Sequence, residues 1–211
     1  MAASIVAASI VTHNKFVRAG REAEAGFSLV EVMISMVILT VGMVSLLGVF
    51  GLAMASTQTS QQDMIAKQLA NEAYESIMTA RNTSQMNWDS IQNVNSTNCP
   101  ETGAASCGIF LSGLQPMYNA GADGIFGTAD DAASGEETIQ DPGPDGIFQT
   151  VDDTFIPLTG YKRQITISPL YDSGGNLIST LRSTTITVQY QTAQLQAPKT
   201  YSLNSFISEF Q

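Results

Sequence analysis

The hydrophobic pattern begins with one long apolar run. From residue 27 to residue 55 almost every position is apolar, and no charged residue follows Glu31 until Asp63. The uncharged part, residues 32–55, would be about 36 Å long as a helix, which is enough to cross a hydrocarbon core of about 30 Å. This half of the pattern therefore predicts a transmembrane helix.

The periodicity changes after Ser60. Apolar residues then recur every four positions, with Gln, Asp, Lys and Glu between them: Ile65, Leu69, Ala73 and Ile77. This spacing places them on one face of a helix. We therefore expect one continuous helix to about Arg81, with an amphipathic half, residues 56–82, lying on a globular head.

The head, residues 83–211, has its clearest strand signals late in the chain. Apolar and polar residues alternate over residues 165–168 and again over 186–190, and the turn-forming cluster DSGGN, residues 172–176, lies between them. This pattern predicts a hairpin. A third strand near residues 201–206 would complete an antiparallel sheet within residues 161–211. The expected fold class is α+β: a long N-terminal helix packed on a small antiparallel sheet.

The charges are unevenly distributed around a net charge of −10. Lys15, Arg18 and Arg21 precede the apolar run, which predicts a cytoplasmic N-terminus and a head on the opposite side of the membrane. Between residues 119 and 153 there are nine Asp or Glu and no Lys or Arg. This balance disfavours a nucleic-acid partner.

The only histidine is His13. If the N-terminal segment is removed, no imidazole remains, which excludes a Ser-His-Asp triad, a Cys-His dyad and a His-ligated zinc site. The sequence also shows no nucleophile–base set and no phosphate-binding loop. We therefore expect a protein that is not an enzyme.

Cys99 and Cys107 are the only cysteines, and no CxxC motif is present. Outside the cytoplasm, the favoured interpretation is a disulfide that closes a short loop. The alternative is two unrelated free thiols.

Three ordinary explanations compete for the apolar run. A secretory signal would explain the small-x-small site at residues 53–55, but its apolar region is normally only about 7–15 residues long. A plain signal anchor leaves Glu31 unexplained, because an acid inside an apolar helix is costly in lipid. A buried core helix does not fit an uncharged run of this length.

Residues 26–31, GFSLVE, resemble the processing site of type IV prepilins and type II secretion pseudopilins. The resemblance implies that a prepilin peptidase and N-methyltransferase cuts after Gly26, removes residues 1–26 as a leader, and methylates Phe27. It also implies that Glu31 pairs with a terminal amine during subunit docking. Such a pair is chemically reasonable, since each charge alone would be expensive in an apolar filament core.

The same resemblance implies the partners and the location. The partners would be other pilin subunits, the processing enzyme and a pilus or secretion assembly platform. The chain would first be an inner-membrane protein with a periplasmic head and then part of a pilus or pseudopilus, with the cell surface as a further location. Two features depart from the family: the leader is long, and the helix has Gly42, Gly48 and Gly51 where major pilins commonly carry a proline.

An acidic segment, residues 119–153, contains an internal repeat. Residues 121–131, GADGIFGTADD, are nearly repeated at residues 143–153, GPDGIFQTVDD, with eight of eleven positions identical. Each copy places oxygen-bearing residues at positions one, five and twelve around a glycine at position six, as in an EF-hand loop, although position three is Gly and no helices flank it. The short Asp/Gly calcium loops of extracellular bacterial proteins are more similar.

Carboxylates gathered by glycines suit a hard cation, so the repeat predicts one or two Ca²⁺ sites. The candidate ligands are Asn119, Asp123, Asp130 and Asp131 in the first copy and Asp141, Asp145, Asp152 and Asp153 in the second. The alternative is a solvated acidic loop that was duplicated without function. Both copies keep Ile-Phe, which predicts an apolar anchor packed beneath each loop.

Together these observations favour a structural minor pilin of a type IV pilus-like filament. The alternatives are a type II secretion pseudopilin, and a membrane-anchored, calcium-dependent adhesin or binding module that uses the helix as its carrier.

Overall fold

The computed structural model describes residues 26–192 and 197–210. The predicted leader therefore lies outside the described residues, apart from Gly26. The chain divides into two units, Met1–Gly48 and Val49–Gln211, which are considered separately.

One helix, α1, runs from Leu29 to Asn82 over 54 residues. Its part in the first unit is fully exposed, and it is long and apolar enough to cross a membrane. The hydroxyl groups of Ser35, Thr40 and Ser45 donate to backbone carbonyls three or four residues earlier. These polar side chains are therefore satisfied within the helix, which reduces their cost in an apolar environment.

In the second unit α1 presents a buried face rich in alanine. Its buried residues are Ala66, Leu69, Ala70, Ala73, Ile77 and Ala80. The predicted amphipathic stripe is confirmed, although Ile65 is only partly buried. Small side chains allow close approach to the rest of the core, and the apolar area removed from water there stabilises the head.

Within the residues that the structure describes, the head contains six strands and two short 3₁₀ helices. The strands are β1 (Gln115–Pro116), β2 (Thr138–Asp141), β3 (Thr154–Pro157), β4 (Tyr161–Tyr171), β5 (Leu177–Tyr190) and β6 (Lys199–Ser208). The 3₁₀ helices are Trp88–Ser90 and Asp131–Ala133.

The main sheet is antiparallel, with the order β1-β4-β5-β6. The predicted hairpin is confirmed as β4 and β5, and its turn is held by Asp172, whose carboxylate accepts the backbone N–H groups of Gly174 and Asn176 at 2.8 Å each. The third predicted strand is β6. All three strands are longer than the alternating patterns suggested.

Alternation along these strands produces one buried face. Its large buried residues are Ile165, Ile167, Ile186, Val188, Tyr190 and Ile207. They belong to the same core cluster as the buried face of α1. The α+β class, with a long N-terminal helix and a small antiparallel sheet, is therefore confirmed.

Polar contacts also join α1 to the last two strands. The ammonium group of Lys199 lies 2.6 Å from Asp63, and the Tyr190 hydroxyl donates to the same carboxylate at 2.6 Å. The hydroxyl of Ser205 donates to Tyr74 at 2.9 Å. These bonds connect residues far apart in the sequence and fix the helix on the sheet.

A second, two-stranded sheet was not predicted. It consists of β2 and β3, which pair antiparallel with Ile139 opposite Ile156. The second copy of the acidic repeat forms the connection between the two strands. Each of its strands has only four residues, so the local pattern of apolar and polar positions carries little signal for it.

Candidate functional site

The predicted processing site lies just before α1. Gly26 and Phe27 are exposed and precede the helix, whose first backbone bond runs from the Val32 N–H to the Ser28 carbonyl at 3.1 Å. Glu31 is exposed in the first turn of the helix. A negative charge at this position interacts favourably with the helix dipole. An accessible, non-helical Gly26–Phe27 peptide is the geometry that proteolysis requires.

In the first acidic repeat, Asp131 organises the loop. Its two carboxylate oxygens accept the backbone N–H groups of Gly121 at 3.0 Å, Gly127 at 2.6 Å and Thr128 at 3.3 Å. Asp131 is buried, and burial raises the pKa of its carboxyl. The backbone bonds oppose that effect by stabilising the charged form.

Two further acids converge on Asp131. Carboxylate oxygens of Asp123, Asp130 and Asp131 all lie within 4.8 Å of one another, and this is the one such acidic group that the described residues contain. A hydrogen bond from the Thr128 hydroxyl lowers the pKa of Asp130. Three carboxylates at this spacing repel one another and could together offer oxygen ligands to a hard cation.

The second repeat has nearly the same hydrogen bonds. Asp153 accepts the backbone N–H groups of Gln149 at 2.6 Å and Thr150 at 3.3 Å, as Asp131 does for its equivalents. The Thr150 hydroxyl lies 2.7 Å from Asp152, and Asp145 accepts the Ile147 N–H at 2.8 Å. The two copies therefore share one local fold.

The position-one residues have other contacts. The side-chain amide of Asn119 donates to the carbonyls of Ser134 at 3.3 Å and Glu136 at 3.2 Å. Asp141, at the end of β2, accepts the Gly143 N–H at 3.4 Å. Thus the structure brings Asp123, Asp130 and Asp131 together, but it does not gather the four second-copy aspartates into a comparable group among the residues described.

Both repeats turn as the sequence predicted. Gly124 and Gly146, at position six, each have φ +68°, a backbone conformation that favours glycine. Gly127 and Gln149 occupy equivalent positions and both have positive φ, at +86° and +67°. A Cβ atom on Gly127 would lie 2.7 Å from the Cδ1 atom of Ile165, so a side chain at this position in the first copy would require Ile165 to shift.

The two Ile-Phe pairs have opposite environments. Ile125 and Phe126 are 2% and 8% exposed and belong to the core, whereas Ile147 and Phe148 are each 59% exposed. The predicted apolar anchor is therefore correct for the first copy and wrong for the second. The reason is position: the first loop lies against α1 and the main sheet, while the second is carried away from the core by β2 and β3.

The structure joins Cys99 and Cys107 in a disulfide, with a Cα–Cα distance of 6.0 Å. The short loop that it closes also packs on the head. Asp89 is buried and accepts both the backbone N–H and the hydroxyl of Thr102 at 2.7 Å. The bridged loop is thereby attached to the segment that follows α1.

Sequence reasoning missed a buried ion pair beside the first repeat. Arg163 lies 3.3 Å from Glu137, and its guanidinium group is 4.1 Å from the centre of the Phe126 ring. Burial raises the pKa of Glu137 to about 7, with Glu72 acting in the same direction and Arg163 against it. The sequence did contain a signal for this burial, because Arg163 lies two residues before Ile165 and therefore on the same, buried face of β4.

A second buried arginine is stacked on the single tryptophan. The Arg182 guanidinium lies 4.0 Å from the centre of the Trp88 ring and donates to the carbonyls of Trp88 and Ile91, the latter at 3.0 Å. Burial lowers the pKa of Arg182 to about 10, while nearby Asp89 opposes the shift. This contact locks the segment after α1 onto β5.

The N-terminal segment is the part of the chain that is similar to a known family. Residues 21–47 match the prokaryotic N-terminal methylation motif. The match is consistent with a type IV pilin-like prepilin and supports a protein of the pilin or pseudopilin type. No curated protein and no solved structure matches the chain.

The matched motif overlaps the first part of α1, so this helix is the segment to which the comparison gives a function. It suggests a structural rather than an enzymatic protein, which in general assembles with other pilin subunits and is handled by a prepilin peptidase. The apolar first half of α1 fits membrane anchoring followed by incorporation into a pilus. The long helix and small antiparallel sheet fit the type IV pilin-like fold.

Proposed function

We propose that this chain is a minor pilin of a type IV pilus-like filament. It is cut after Gly26, methylated on Phe27, and assembled through the apolar half of α1. Before assembly its N-terminus is cytoplasmic and its head is periplasmic. The observation that carries the proposal is the methylation motif, which overlaps the start of a helix whose residues 29–54 are all exposed and mostly apolar.

The exposed apolar half of α1 must be covered by something other than water. In the membrane that partner is lipid, and in a filament it is the same region of neighbouring subunits. Glu31 is then the costly group, because an isolated carboxylate in an apolar core loses its hydration. The terminal amine of a neighbouring subunit would restore a compensating charge, which explains why an acid is retained in this helix.

Mass spectrometry of the mature protein tests the processing step. We expect an N-terminus at Phe27 that carries one methyl group. A mature chain that begins at Ser56, after the small-x-small site, would identify an ordinary signal peptide and contradict the proposal.

Glu31→Ala tests assembly separately. We expect the variant to be processed and inserted in the membrane but poorly incorporated into filaments, because the amine loses its partner. Glu31→Gln is the matched control for size. Normal incorporation of both variants would show that the charge is dispensable. A pseudopilin is the alternative, and loss of protein secretion rather than of pili in a deletion strain would support it.

We also propose that the first acidic repeat binds Ca²⁺ through Asp123 and Asp130, with Asp131 as an additional ligand or as an acceptor that fixes the loop. The support is the convergence of three carboxylate groups within 4.8 Å. Each carboxylate oxygen has more than one lone pair, so oxygens that accept backbone N–H groups can still bind a cation. The sequence alone favoured the second copy, because Asp141 carries a full charge where Asn119 does not.

Calorimetry on the purified full-length chain in detergent tests this site. We expect heat of binding and a higher melting temperature at millimolar Ca²⁺, since a ligand of the folded state stabilises that state. Asp123→Asn should abolish the first-copy signal, and the equivalent Asp145→Asn is the matched control. No heat and no thermal shift would leave the repeat as a solvated loop. A deletion strain that keeps its pili but loses calcium-dependent adhesion would favour the adhesin alternative.

A further inference from the structure

The buried ion pair of Glu137 and Arg163 lies at the base of a hairpin. We call residues 138–157, which comprise β2, the second repeat and β3, the arm. Within the described residues, β2 and β3 pair only with each other. Glu137 immediately precedes the arm, and its carbonyl accepts the N–H of Leu158, which immediately follows the arm, at 2.9 Å. The contacts of Glu137 therefore help to fix the arm on the head.

Two carboxyl groups meet at this base. Glu137 is 7% exposed. Glu72, on α1, lines the same cavity as Glu137 and hydrogen-bonds its side chain. Two carboxyl groups can share a hydrogen bond only if one of them keeps a proton. The buried group keeps it: burial, the largest cause, and the adjacent Glu72 raise the pKa of Glu137 to about 7, against the attraction of Arg163.

Arg163 cannot neutralise every acid around it. Its cation is attracted by Glu137, by Glu72 and by Asp131 of the first repeat, although it is only 4% exposed. Among the described residues, the charged groups that face Glu137 are Glu72 from α1 and Arg163 from β4, and Asp131 acts on Arg163. With all three acids ionised, three negative charges would surround one positive charge. The proton on Glu137 removes one of them, which would otherwise be costly in a buried position.

A cavity of about 230 Å³ lies between α1 and the base of the arm. Its walls include Ile65, Leu69 and Glu72 from α1 and Glu137, Ile139 and Leu158 from the other side. Close-packed interiors resist motion, whereas an unfilled space leaves room for side chains and water to rearrange. Glu72 is exposed and can turn toward solvent, but Glu137 is buried and reaches water only if the base of the arm moves.

We propose that Glu72 and Glu137 form a pH-sensitive latch between α1 and the arm. The latch is closed while one proton is shared between the two carboxyl groups. When the proton leaves, the two like charges repel each other, water enters the cavity, and the base of the arm moves away from α1. The latch lies within the head, so it requires neither calcium nor the assembly of a filament.

The direction of the change follows from the sign of the shift. An unfolded chain releases the Glu137 proton near the ordinary value of 4.5, whereas the folded head, in which the pKa is about 7, still holds it in mildly acidic solution. A raised pKa means that the closed, protonated state is favoured below the folded value and is lost as the pH rises through it. The arm is therefore fixed in mildly acidic solution and released in alkaline solution.

Double electron–electron resonance measures the position of the arm directly. Nitroxide labels are attached through Asn71→Cys on α1 and Thr154→Cys on the arm, which are both exposed positions. The native cysteines are joined in a disulfide and do not react with the label. The full-length protein is measured in detergent with a calcium chelator present. We expect a longer distance to replace a shorter one with a midpoint near pH 7. The longer distance should account for about 10% of molecules one pH unit below the midpoint and about 90% one unit above it.

Three variants connect this change to the latch. Glu137→Gln should keep the short distance at every pH, because the neutral amide can donate to Glu72 as the protonated acid does. Glu72→Gln removes the repulsion from an exposed position, so it should lower the midpoint and shorten the displacement. Glu136→Gln is the matched control, since it removes a neighbouring exposed acid and should leave the transition unchanged.

Two kinds of result would overturn the latch. One is a distance that does not depend on pH in the native protein, or that changes only near pH 4.5, where ordinary acids titrate. The other is a transition that persists unchanged in both Glu72→Gln and Glu137→Gln. Fluorescence of the buried Trp88 confirms that each variant is folded, and the exposed Glu72→Gln keeps the test decisive if Glu137→Gln does not fold. The processing of the N-terminus is not involved, so failure of the latch leaves the pilin proposal intact.

Discussion

The two Ile-Phe pairs provide a matched test of the head's energetics. Phe126 and Phe148 hold the same position in two loops with nearly the same hydrogen bonds, but the first is 8% exposed and the second 59%. Truncating a buried Phe to Ala typically costs about 3–5 kcal/mol, whereas exposed positions usually change stability by about 0.5 kcal/mol or less. Phe126→Ala should therefore be the more destabilising by at least about 2.5 kcal/mol.

Arg163 strengthens this expectation. Its guanidinium group faces the Phe126 ring at 4.1 Å, and removal of the ring leaves a buried cation beside a cavity. A cation–π contact of this kind contributes about 0.5–2 kcal/mol. Because whole domains are stable by only about 5–15 kcal/mol, Phe126→Ala can approach complete unfolding.

Urea titration of the full-length protein in detergent measures the difference. Trp88 is the single tryptophan, is 5% exposed, and stacks on Arg182, so its fluorescence reports unfolding of the head. With an m-value of about 2 kcal/mol/M, Phe126→Ala should lower the midpoint by about 2 M and Phe148→Ala by no more than about 0.3 M.

A pair of milder substitutions still gives a measurable difference if Phe126→Ala unfolds the head completely. Ile125→Val should cost about 0.5–1.5 kcal/mol, and Ile147→Val should have almost no effect on the monomeric head. Equal losses from the two members of either pair would refute the assignment of one loop to the core and the other to the surface.

Three further outcomes concern the disulfide, the buried Glu137 and the ion pair between Asp63 and Lys199. Alkylation of the native, unreduced protein should label neither Cys99 nor Cys107, and reduction should cost about 2–3 kcal/mol by the loop-entropy model; labelling of both would disprove the bridge. Because burial raises the pKa of Glu137 to about 7, the folded state keeps a proton that the unfolded state releases near its ordinary value of 4.5. The free energy of unfolding should thus fall between about pH 4.5 and 7, and Glu137→Gln should remove that slope; an unchanged slope would contradict the assignment. Asp63→Asn should cost no more than about 1 kcal/mol at neutral pH, since its half-exposed pair with Lys199 is screened by water; a loss of several kcal/mol would mean that the pair is effectively buried.

The long helix and the late strands could be predicted because each depends on a strong local pattern. The apolar run ahead of Asp63 leaves no alternative to a helix, and the Ile/Thr alternation near Ile165 and Ile186 leaves none to a half-buried strand. These elements are specified by residues within their own length. The same is true of the turns at Gly124 and Gly146, where position alone requires positive φ.

The environment of the second repeat could not be predicted, because burial is not a local property. Phe126 and Phe148 lie in almost identical sequences. One is buried and the other exposed because the flanking chain follows a different path in each copy. The single nearby clue was Gln149 in the place of Gly127, since a long polar side chain is incompatible with close packing. Arg163 was missed for a related reason: its position on the face of Ile165 indicated burial, but the partner that makes a buried cation tolerable, Glu137, is brought beside it only by the fold.

The link between Asp63 and Lys199 has a consequence for the order of events during biogenesis. These residues are 136 positions apart, and β6 also supplies Ile207 to the core. The alanine-rich face of α1 is therefore synthesised long before the strand that completes its cover. Contacts of such high sequence separation form slowly, since a long loop must close first. In the pathway proposed above, α1 enters the membrane first, so the head would acquire its structure while already tethered at one end, and only a completed head would be ready to join a polymer.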